Sequence, residues 1–94
     1  MDLHINPFRC GTEKEAALKP LEEASEAREA WQRLDRAMEL NANATLVGFA
    51  SVDLAYELAD CVTACVNLAT RYGLDLQAAL DRVERHNRER GRYA

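Results

Sequence analysis

Residues 52–69 read VDLAYELADCVTACVNLA. Val52, Leu54, Ala55, Tyr56, Leu58, Val62, Val66 and Leu68 put apolar groups on nearly every side of one helix, and a helix of that kind is buried on most sides. A 94-residue chain has few other helices to bury it. The stretch therefore implies packing against a second copy, as a homodimer or homotetramer. A domain of this size also buries only about 60–65% of its unfolded surface and gains from added interface. The helix is interrupted by Asp53, Glu57 and Asp60, and no Lys or Arg occurs between Arg36 and Arg71.

Working outward, Tyr72 and Gly73 close this helix, because glycine takes the left-handed conformation that ends one. Asp75 is placed to cap a last helix from Leu76 to about Arg88, with Leu76, Ala79, Leu80 and Val83 on one side. At the start of the helix over 52–69, Ser51 or Asp53 offers a cap. Asn41-Ala42-Asn43 reads as a break, Gly48 weakens any helix through 44–50, and residues 41–51 are expected as a loop or flap. From Leu21 to Leu40 the spacing of Leu21, Ala24, Ala27, Trp31, Leu34 and Met38 predicts an amphipathic helix with Trp31 in its core stripe. Thr12 and Glu15 have the form of a capping box, which starts a helix near Glu13. Pro20 then kinks that helix or divides it in two. Residues 1–11 hold Pro7 and Gly11 without helical period and read as an N-terminal arm; residues 12–94 form a single domain. The fold class expected is all-α: a small helical bundle completed by oligomerisation.

Composition excludes several classes. Sixteen acidic against twelve basic residues, a net charge of −4, argues against general nucleic-acid binding. No run reaches the roughly 18–20 apolar residues of a membrane span. The three cysteines are an odd number, and the opening residues lack a basic start followed by an apolar run. Cys10, Cys61 and Cys65 are therefore expected as thiols in a cytoplasmic protein. Cys61 and Cys65 stand one turn apart, but nothing completes a tetrahedral metal site around them. His4 and His86 have no nucleophile at an informative spacing, and the four scattered glycines fit no phosphate loop.

On a helix, Asp53, Glu57 and Asp60 fall within about 60° of one another. Like charges so spaced repel, by about 0.2–0.5 kcal/mol per exposed pair. They need a cation from elsewhere. Glu23 and Glu26 share a face of the preceding helix, among Glu22 and Glu29, so two packed helices can present Glu23, Glu26, Glu57 and Asp60 to one space. An all-carboxylate donor set suits Mg²⁺, or Mn²⁺, over zinc. The alternative is a structural salt bridge to the arginines of the C-terminal end, Arg82, Arg85, Arg88, Arg90 and Arg92. Guanidinium groups pair well with phosphate oxygens. The same run also complements a helix C-terminus.

The segment Lys19-Pro-Leu-Glu-Glu-Ala-Ser-Glu26 resembles the K-x-x-E-E-x-x-E signature of the MazG-like nucleotide pyrophosphohydrolases, and Glu57-Leu-Ala-Asp60 resembles their paired E-x-x-D. Asn67-Leu-Ala, the Gly73-Leu-Asp turn and the ending Arg85-His-Asn-Arg-Glu-Arg-Gly-Arg-Tyr93 are similar to phage or prophage members. The resemblance covers residues 13–93 and implies hydrolysis of a nucleoside triphosphate to monophosphate and pyrophosphate. By matching position it implies Mg²⁺ ligands at Glu23, Glu26, Glu57 and Asp60, with Glu23 or Glu26 accepting the proton of the attacking water. Lys19, Asn87 and Arg90 would face the phosphates, with Asp53, Trp31, Arg82 and Arg85 as accessory residues. The same first signature also resembles phosphoribosyl-ATP pyrophosphohydrolase. A non-catalytic helical dimer with a vestigial site is the rival from another class.

Overall fold

The structure is a computed structural model that describes residues 3–9 and 11–93. Cys10 lies outside the described residues. Three α-helices make up the fold: α1 (Glu13–Glu39), α2 (Ala44–Arg71) and α3 (Leu76–Glu89). The all-α class matches the sequence expectation.

Each helix starts on a side-chain cap. Thr12 Oγ1 accepts from the Glu15 amide at 3.2 Å, Asn43 Oδ1 from Leu46 at 3.0 Å and Asp75 Oδ1 from Ala78 at 2.9 Å. Each ends in the same way. Asn41, Gly73 and Gly91 take positive φ. The amides that follow, Ala42, Leu74 and Arg92, return to the carbonyls of Ala37, Ala69 and Asn87 at 2.9–3.0 Å. These are Schellman endings, which satisfy carbonyls left over at a helix C-terminus.

Two expectations are corrected. α1 runs through Pro20 as one helix, so the chain is not divided in two there, and the ring costs one backbone hydrogen bond. α2 begins at Ala44, not at Ser51 or Asp53. The Asn43 cap outweighs the weak propensity of Gly48, and residues 41–51 are mostly two further helical turns, not a loop or flap.

α1 and α2 pack side by side. Their antiparallel sense follows from paired positions: Arg71 meets Glu13, and Cys61 donates to the Pro20 carbonyl at 3.9 Å. The buried residues are small, Ala16, Ala27 and Ala30 from α1 with Ala64, Asn67 and Ala69 from α2, so the two backbones approach closely. Few large side chains enter this seam. Trp31, expected in the core, is 50% exposed, and Leu21, Met38, Phe49, Val52, Tyr56 and Val62 also stand outside it.

α3 has no buried residue and makes almost no contact with the long helices. The radius of gyration is 16.3 Å, against about 12 Å for a compact domain of this length. The accessible surface is 7594 Å², against about 5,500 Å² for a compact monomer of this mass. No helix among the described residues is long and apolar enough to cross a membrane.

Candidate metal centre

The α1–α2 seam carries its charge at mid-length. Antiparallel packing sets the second turn-pair of α1 against the middle of α2. Glu23, Glu57 and Asp60 there each offer a carboxylate oxygen, and these oxygens lie within 4.8 Å of one another. All three residues are half-buried. One oxygen of Glu23 and one of Glu57, both Oε2, are shut off from solvent and have no hydrogen-bond partner. A buried carboxylate oxygen without a donor is costly.

The electrostatics record the crowding. Burial pushes the Glu23 carboxyl above its usual range, and the charges of Glu26 and Asp60 push it further while Lys19 opposes them. Burial likewise raises Glu57, followed by Glu26 and Asp60, with Arg33 opposing. Glu26 thus faces both groups, although it is exposed and outside the tightest cluster. When these carboxylates are ionised none can donate to another, so the Oε2 atoms stay unsatisfied. Either a proton shared with Glu26 or a bound cation would relieve them. Oxygen-only donors at this spacing fit a hard divalent cation.

Beside the cluster lies a cavity of about 220 Å³ lined by Lys19, Glu23, Asp60, Thr63, Asn67 and Phe8. Lys19 shares this cavity wall with Glu23 and Asp60 and also pairs with Glu22 at 3.5 Å. The Arg33 charge, on α1, opposes the rise of Glu57 only weakly, and among the described residues Glu57 forms no ion pair. The stripe on α2 also extends beyond the acids. Glu57, Asp60, Ala64, Asn67 and Arg71 continue in steps of three and four on one face. Asn67 is buried and accepts the Phe8 amide at 2.8 Å, which ties the N-terminal arm to the site.

Other expected site residues are elsewhere in this chain. Asp53 is exposed and outside the cluster. Arg82, Arg85, Asn87 and Arg90 line a separate concavity on α3. The Asn87 amide donates to the Tyr93 hydroxyl at 3.4 Å, and Arg88 stacks over the Tyr93 ring. None of them reaches the carboxylates within the chain, so the salt bridge between the acidic stripe and the arginine-rich end does not form. Cys61 is a half-buried thiol whose pKa burial pushes up, with Cys65 adding to the rise, a poor thiolate ligand.

Phe8, Arg33 and Asn67 were missed as site residues. Asn67 had a signal, since it is a polar residue seven positions after Asp60 on an otherwise apolar helix. Phe8 and Arg33 had none. Comparison with protein-family models, with curated proteins and with solved structures gives no match.

Proposed function

We propose that the protein is a divalent-cation-dependent nucleoside triphosphate pyrophosphohydrolase of the MazG-like kind. One observation carries the reading: three carboxylates from two helices converge within 4.8 Å, with two buried oxygens that no protein group satisfies. The order of the K-x-x-E-E-x-x-E and E-x-x-D segments supports it independently.

Glu23, Glu57 and Asp60, with Glu26 adjoining, would hold Mg²⁺ or Mn²⁺. Such an ion supplies charge neutralisation at a phosphate group and a more acidic bound water. Lys19 stands on the wall of the adjoining cavity, where an ammonium attracts phosphate oxygens. Water attacks the α-phosphorus and pyrophosphate departs. Glu23 or Glu26 takes the proton from that water as general base.

The protein acts as a homo-oligomer in this reading. Its surface exceeds that of a compact monomer by about 2,000 Å², which is what each partner of an obligate dimer typically buries (about 1,000–2,500 Å²). The exposed Val52, Tyr56, Leu58 and Val62 of α2 and Leu80 and Val83 of α3 supply an apolar surface. Docking of α3 onto another copy brings Asn87 and Arg90 toward that copy's carboxylates.

The test is pyrophosphate release from a panel of standard and damaged ribo- and deoxyribonucleoside triphosphates, with and without Mg²⁺. The panel includes phosphoribosyl-ATP. Mg²⁺-dependent release that Glu57→Ala abolishes is the expected result. Equal rates for wild type and Glu57→Ala would contradict it.

A further inference from the structure

The polar stripe of α2 ends at Arg71, whose side chain is only 13% exposed. Its Nη2 donates to Glu13 Oε1 at 2.9 Å. Its Nε and Nη1 are out of contact with solvent and have no acceptor. A guanidinium keeps its charge on burial, so donors left without acceptors are costly and call for a missing partner.

The surroundings are cationic. Arg71 lines a pocket of about 400 Å³ together with Arg9, Glu13, Thr70, Asn67 and Phe8. Glu13 is the one carboxylate among the pocket-lining residues. The Arg71 hydrogen bond holds its carboxyl below the usual range, followed by its own backbone and the Arg71 charge, and Arg9 adds to the effect. Two guanidiniums against one carboxylate leave one positive charge, in a space walled by the arm on one side and α2 on the other.

We propose that this pocket between the N-terminal arm and the end of α2 binds a phosphate-type oxyanion, with Arg9 and Arg71 as its donors. Arm residues 6–9 are exposed and the Phe8 amide is held by Asn67, so an anion reaches the covered nitrogens of Arg71 by displacing the arm that carries Arg9. The pocket shares Phe8 and Asn67 with the carboxylate cavity. Asp60 and Arg71 are eleven residues apart, about 16 Å along the helix axis. The oxyanion site is thus separate from the carboxylates but lies along the same groove, and the proposal does not rest on the hydrolase reading.

The experiment is calorimetric titration of the full chain with inorganic phosphate and with pyrophosphate in EDTA, which keeps the carboxylates free of metal. Saturable binding is expected for wild type, weakened about tenfold or more by Arg71→Gln. Arg9→Gln, at an exposed position that leaves folding intact, weakens it in the same direction. Arg28→Gln, at an exposed position outside the pocket lining, leaves it unchanged. No saturable binding by wild type, or equal binding by wild type and Arg9→Gln, overturns the proposal; loss in Arg90→Gln alone places the anion on α3 and overturns it as well. Repeating the titration with Mg²⁺ and a non-hydrolysable nucleoside triphosphate identifies the source. An equal loss in Arg9→Gln makes the oxyanion a phosphate of the nucleotide, and no loss makes it a free ligand.

Discussion

Glu57 shows how one side chain ties stability to function. Its carboxyl is raised mainly by burial, then by Glu26 and Asp60, so the folded protein holds this proton more tightly than the unfolded chain. As pH rises from the ordinary carboxylate range through the raised folded value, the unfolded chain gives up the proton first. Folding stability falls over that window. Glu23 has the same sign, and Glu13, lowered by Arg71, has the opposite one. In metal-free protein at neutral pH, Glu57→Gln is therefore expected to raise Tm, an advantage that vanishes as pH is lowered through the carboxylate range. If the site holds Mg²⁺ as proposed, the ion at 100 times its Kd is expected to stabilise the wild type by about 2.7 kcal/mol, and the variant by much less. Thermal denaturation of both chains across pH, with and without Mg²⁺, reads these effects. A wild type more stable than Glu57→Gln in EDTA at neutral pH would remove the stored repulsion from the account. The acidic residues were legible because charge on an apolar helix stands out. Arg33 was not, since nothing in a linear sequence tells which turn of α1 faces Glu57.

At the scale of the helices, caps and stops were read well and propensities less well. Asp75, Gly73 and the Thr12 cap perform as their residue types suggest. The start of α2 was misplaced because Gly48 looked like a breaker, while Asn43, seen as part of a break, is the cap. A helix through 44–50 has two consequences. Asn43→Ala removes the acceptor of the Leu46 amide and is expected to cost about 0.5–2 kcal/mol. Gly48→Ala is expected to gain up to about 1 kcal/mol, since a methyl group there meets open space. Chemical denaturation measures both, and unchanged midpoints in both variants would contradict helical structure in this segment. The Trp31 expectation failed for a different reason. Periodicity identifies an apolar stripe, but the α1–α2 seam selected the alanines at positions 16, 27 and 30, leaving the large residues outward.

For the whole molecule, the apolar character of residues 52–69 is legible in the sequence, and what would cover it is not. In the structure Val52, Tyr56 and Val62 remain exposed and α3 stands apart. The position of α3 was not legible, because Asp75 and Gly73 define where helices begin and end but not where a short one docks. If α3 serves the site of another copy, two defective chains should repair each other. Glu57→Ala and Arg90→Ala, the first inactive and the second impaired alone, are expected to regain activity when mixed after subunit exchange, because one hybrid site has intact carboxylates and an intact α3. Light scattering should show a dimer or tetramer, and Tyr56→Arg is expected to shift it toward monomer. Failure of the mixture to exceed the sum of its parts would confine α3 to its own chain.

The central claim is that the carboxylates between α1 and α2 hold a divalent cation. Calorimetric titration of the metal-free protein with Mn²⁺ and Mg²⁺ near pH 7.5 tests it most directly. Saturable binding is expected in wild type, weakened about tenfold or more in Glu23→Gln and Glu57→Gln and unchanged in Asp53→Asn. No saturable binding, or the same affinity in wild type and both glutamine variants, would contradict the claim.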